Sequence, residues 1–190
     1  MANPNTLAFL DALHDAPVIA AVKSDEDLSR AMTSDCAAIF FLYGTILNIA
    51  ALVKTAKDGG KMALVHVDLV EGLAGRDIAV DFLAENTQAD GVISTRPNLI
   101  RRAKELKLIS VQRFFLLDSI AYENVLRQSS NADVIDILPG TMPRVLARLS
   151  SQLRQPLIAS GLLADKQDVI SALGAGAIAV STTSESLWFA

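Results

Sequence analysis

The chain has 190 residues, enough for one large core, and a formal net charge of −4, which argues against a general nucleic-acid binder because those are normally basic. Hydrophobic residues make up 51% and aromatics only 5%, so the core is aliphatic, and a mean hydropathy of +0.36 points to helices packed against both a sheet and a partner subunit in a homo-oligomer. The single cysteine, Cys36, excludes an intrachain disulfide and reads as core filler in a cytoplasmic protein.

In chain order, Met1-Ala-Asn-Pro-Asn-Thr has no basic region with an apolar stretch behind it, so no signal peptide is expected. An amphipathic stretch carrying His14 follows. Apolar runs then recur as short buried strands: 18–22, 37–42, 62–67, 91–94, 108–112, 134–138, 157–159 and 177–180. Helical patterns separate them at 26–33, 46–57, 76–86, 99–107, 120–128, 144–153 and 166–173, and a stub follows Ser184. The apolar segment 36–53 is broken by Gly44, Thr45 and Asn48 and changes period midway, so it reads as strand, turn and helix, and no membrane partner is expected.

Punctuation supports the assignment. Pro97 opens a first turn, Asp118-Ser119 offers capping oxygens, and Thr182-Thr-Ser-Glu185 has capping-box spacing. Continuous apolar strands alternating with helices mean a parallel sheet covered by helices. Eight such units in residues 1–190 close into a single-domain α/β fold, a compact, loop-poor (β/α)8 TIM barrel. An open doubly wound sheet is the alternative.

In a barrel the site lies just after the strands, at their C-terminal ends. Gly161 permits close backbone approach there, and Ser160, Ser181 and Thr182 add hydroxyls at the seventh and eighth strand ends. Together they predict a phosphate cup of amide hydrogens at a helix start. Lys23 and Arg113 follow the first and fifth strands and can supply positive charge. His66 and Asp68 alternate at the end of the third strand, with Glu71 in the turn, a trio able to bind polyol hydroxyls or exchange protons. The trio is too poor in carboxylates for a metal site. No P-loop, Cys/His cluster, nucleophile elbow or dinucleotide fingerprint is present, so neither metal nor cofactor is expected. Arg96, Arg101, Arg102, Lys104 and Lys107 crowd one helix, either as a solvated face or as a local patch for an anionic polymer.

The stretches His66–Leu73, Asp90–Ile100, Gln112–Ser119, Asp136–Gly140, Ile158–Leu162 and the closing 180–188 resemble, in order, the glycerol uptake operon antiterminator family. The resemblance implies a barrel without catalytic activity that responds to glycerol 3-phosphate. It implies binding to the leader of a glycerol-utilisation messenger RNA, and so prevention of premature transcription termination. By barrel geometry and motif position, the ligand would then occupy Lys23, His66, Asp68, Glu71, Arg113, Ser160, Gly161, Ser181 and Thr182, and the RNA the helix of Arg96, Arg101, Arg102 and Lys104. Three positions depart from the family pattern: Ser160-Gly161 stands for a double glycine, Lys107 for a glycine, and Asp136 for a glutamate, which allows a related phosphate ester as ligand. The competing reading is a barrel enzyme acting on a small phosphorylated metabolite, with Asp68 or Glu71 as general base and Lys23 or Arg113 stabilising negative charge.

Overall fold

The computed structural model describes residues 3–190. Its eight strands are β1 (Val18–Val22), β2 (Ala38–Phe41), β3 (Met62–His66), β4 (Gly91–Ser94), β5 (Ile109–Phe115), β6 (Val134–Leu138), β7 (Leu157–Ser160) and β8 (Ala179–Thr182). They pair in parallel in sequence order, and β8 closes on β1, giving the expected TIM barrel. The helices are α1 (Pro4–Asp15), α2 (Asp25–Met32), α3 (Ile49–Asp58), α4 (Asp77–Asn86), α5 (Pro97–Glu105), α6 (Ser119–Gln128), α7 (Pro143–Gln152) and α8 (Lys166–Gly174). A 3-10 turn, Glu185–Phe189, takes the place of a helix after β8.

Strand faces divide by the two-residue period. Inward residues such as Ile19, Phe40, Leu64, Ile93, Val111, Val134 and Ile158 fill the barrel. Outward ones such as Ile39, Val65, Ile135 and Ala159 pack under the helices. Gly91 leaves room for this closure: a Cβ there would lie 2.4 Å from the carbonyl oxygen of Ile109.

Helix α1 is a difference from the sequence expectation, which recognised an amphipathic stretch but no barrel element there. Its Phe9 and Leu13 are fully buried against the interior residues and stop the N-terminal end of the barrel. The side chains of Asn3 and Asn5 donate to the carbonyl of Lys107 at 2.8 and 3.4 Å. Lys107 itself sits at φ +61°, the left-handed region that ordinarily takes glycine, just beyond the end of α5. The predicted capping box after β8 does not form; Thr182 Oγ1 accepts from the Ser184 amide instead. The box forms at α8, where Asp165 and Asp168 each accept from the other's backbone amide.

Cys36 is buried in the core with its thiol near the carbonyl of Trp188, and burial raises its pKa above the ordinary thiol value. No helix among the described residues is long and apolar enough to cross a membrane.

Candidate functional site

Continuing the inward faces of β3, β5, β6, β7 and β8 by one period brings His66, Arg113, Asp136, Ser160 and Ser181 to the C-terminal mouth. All five are buried polar residues standing on an aliphatic floor. The register pairs Arg113 with Asp136 and Ser160 with Ser181 on adjacent strands. Asp136 Oδ2 accepts from Arg113 Nε at 2.7 Å, and Oδ1 accepts from Ser160 Oγ at 2.5 Å. Charge-assisted bonds of this kind fix geometry as well as charge. Because only Nε is engaged, neither Nη group of Arg113 has an acceptor among the described residues.

Arg113 lines a cavity of about 600 Å³ together with Ser160, Gly161, Leu162, Ser181, Thr182 and Thr183, walled on other sides by Leu42 and Leu138. That volume suits a small ligand. Only Gly161 of the Ser160-Gly161 pair adopts positive φ, +76°, while Ser160 remains in β7 as a hydrogen-bond donor. At the start of α8 the carboxylates of Asp165 and Asp168 accept from the amides of Ala164, Asp165 and Asp168, and two negative side chains there disfavour an anion. The amides of Gly161, Leu162, Leu163 and Thr183 have no acceptor among the described residues. The Thr182 hydroxyl is committed to the Leu163 carbonyl at 3.3 Å, whereas the Ser181 hydroxyl has no partner among the described residues.

Lys23, His66, Asp68 and Glu71 are not among the residues lining this cavity. Lys23 is exposed, and its amide donates to Asp27. The backbone of Glu71 ties the β3–α4 loop to the β2–α3 loop through Gly44 and Ile46. Asp68 is a clasp: its carboxylate accepts from Ser94 Oγ at 2.9 Å, the Thr95 amide at 3.0 Å and Arg96 Nε at 3.1 Å. His66 Nδ1 lies 3.7 Å from Asp68 Oδ2, too far for a hydrogen bond, and is buried without a partner among the described residues.

Burial first, and then the nearby Arg113 charge, lower the His66 pKa from 6.5 to about 4. The folded protein therefore favours neutral imidazole. Its contribution is fully present above pH 6.5 and is lost as pH falls toward 4. A wild-type stability loss of about 3 kcal/mol across that window is expected, and His66→Gln removes it. Urea titrations of both proteins at each pH check this.

Asp136 and Leu162 are among the residues of this site that were not singled out as ligand contacts. Asp136 is a lone charge inside an otherwise apolar strand run, a signal present in the sequence. Leu162 gives no such signal; it lines the cavity at φ +61° and is 77% exposed. A leucine held left-handed costs about 1–2 kcal/mol. Leu162→Gly is therefore expected to raise unfolding stability by about 1 kcal/mol, read as a higher melting temperature.

The basic helix is α5. Arg102 bridges Asp81 at 2.6 Å and Glu105 at 2.8 Å, and Arg96 bridges Asp68. Arg101 and Lys104 are exposed and form no ion pair among the described residues.

A family model described as glycerol-3-phosphate responsive antiterminator matches residues 18–188. The uncharacterized protein YgcP of Escherichia coli (strain K12) is 42% identical over 184 residues, 96% of each chain. The glycerol uptake operon antiterminator regulatory protein of Listeria monocytogenes superposes with a TM-score of 0.87 at 36% identity, covering 92% of this chain and 95% of its own. A glycerol uptake operon antiterminator-related protein of Thermotoga maritima gives 0.80 at 32% identity, covering 90% and 96%.

Proposed function

Because the chain belongs to the glycerol-3-phosphate responsive antiterminator family, we propose that it binds glycerol 3-phosphate or a related phosphate ester at the barrel mouth and that this controls its hold on a leader messenger RNA. The observation that carries the reading is Arg113, which lines the cavity with Ser181 and is held by Asp136 through Nε alone. The phosphate takes the two Nη groups, the Ser181 hydroxyl and the unpaired amides of residues 161–163. Ser160 and Thr182 shape the cup, since their hydroxyl protons are already committed. Lys23 and Glu71 stand exposed at the rim, and His66 lies buried at the end of β3.

The site binds without transforming. It works as a cytoplasmic sensor with neither metal nor cofactor. Leader RNA contacts α5 through Arg101 and Lys104, with Arg96 and Arg102 beside them. Ligand control requires a state that both sites bias. The Asp68 clasp is suited to that role, because it touches the His66 end of β3 and grips the first residues of the β4–α5 connection. The expected result is calorimetric binding of glycerol 3-phosphate and tighter binding of the protein's own operon leader RNA in its presence, at one stated salt concentration. Equal RNA affinity with and without the ligand refutes ligand control. Turnover of the ester, abolished by Asp68→Asn in a protein that binds no RNA, gives the barrel to catalysis instead.

A further inference from the structure

The sequence stretch Gln112–Ser119 gives Arg113 to the cavity but leaves Phe115 and Leu117 at the surface, 53% and 86% exposed, and Ile120 in the next turn is 65% exposed. A groove of about 540 Å³ lies beside them between α6 and α7, lined by Leu117, Tyr122 and Met142. Arg148 lies over the Tyr122 ring at 4.9 Å, which gives the groove a rigid aromatic and arginine wall, the residue types that anchor interfaces.

The charges around the groove select the occupant. Asp118, Glu123 and Arg148 line it, and none of the three forms an ion pair among the described residues. A polyanion would meet two carboxylates there, and a basic partner would meet the arginine. A second copy turned by a two-fold axis brings both signs to both signs around an apolar centre. We propose that this face pairs with the same face of a second copy, forming a two-fold dimer centred on Leu117 and Ile120. The proposal is independent of what the barrel mouth binds.

Sedimentation and light scattering of the full chain at micromolar concentrations test it. The expected mass is twice the 20.3 kDa chain. Leu117→Asp and Ile120→Asp each return it to the single-chain mass with an unchanged circular dichroism spectrum. Leu47→Asp, at an exposed leucine of the β2–α3 loop, leaves the dimer intact. A monomeric wild type, a dimer that survives both substitutions, or a dimer broken by Leu47→Asp overturns the proposal. So does a monomer whose Leu117→Asp variant loses RNA affinity, which assigns the face to nucleic acid.

Discussion

Asp136→Ala is expected to lower the unfolding free energy by about 3–5 kcal/mol, the range for breaking a buried ion pair by removing one partner. Asp136 is fully buried and satisfies both Arg113 Nε and Ser160 Oγ. Truncation strands a cation that is itself almost wholly out of water. For a chain of this size the loss corresponds to roughly 10 °C in melting temperature. Two apolar residues of similar volume avoid the stranded charge, so Arg113→Met combined with Asp136→Leu is expected to recover most of the stability lost by Asp136→Ala. Thermal and urea unfolding of the single and double variants measure the coupling. An Asp136→Ala protein within about 1 kcal/mol of wild type would show that the pair is effectively solvated.

The binding counterpart is Arg113→Met, expected to weaken glycerol 3-phosphate binding at least about thirty-fold, because truncating one side of a desolvated charge contact costs about 2–5 kcal/mol. Arg113→Lys keeps the charge but cannot hold Asp136 through one nitrogen while offering a planar pair to phosphate. It is expected to fall between the two, at about a ten-fold loss. Calorimetric titration separates the three proteins. Arg101→Ala and Lys104→Ala serve as the contrast, since both residues lie on α5 and outside the cavity lining. They are expected to leave ester binding unchanged and weaken RNA binding. An Arg113→Met protein that binds the ester like wild type removes the proposed phosphate cup.

The barrel was legible because its strands are buried on both faces. Val18–Val22 shows this as an unbroken apolar run and Val134–Leu138 as one interrupted only by Asp136, and their observed limits match the sequence reading. β5 was read too short at its C-terminal end, since Arg113 interrupts the apolar run, yet the ladder with β6 continues to Phe115. Helix α1 escaped as an element because its buried side chains pack on the barrel interior, a partner that no local period reveals.

In the site, position relative to a strand end was readable and pairing was not. The sequence placed Arg113, Ser160, Gly161 and Ser181 near the mouth, and they line one cavity. It did not show that Asp68 spends its carboxylate on Ser94, Thr95 and Arg96, because those contacts cross between loops. Nor did it show that Asp165 and Asp168 form a capping box at the α8 start, although their spacing from one another was visible. The left-handed Leu162 was unreadable for a different reason: side-chain chemistry gave no warning of its backbone state.

With Phe9 and Leu13 stoppering the lower end, the barrel is a flask with a single neck. Whatever enters must leave by the rim that admitted it, past the same strand-end loops. Under the proposed ligand control, effector residence time and the lifetime of the RNA-competent state then become one kinetic quantity.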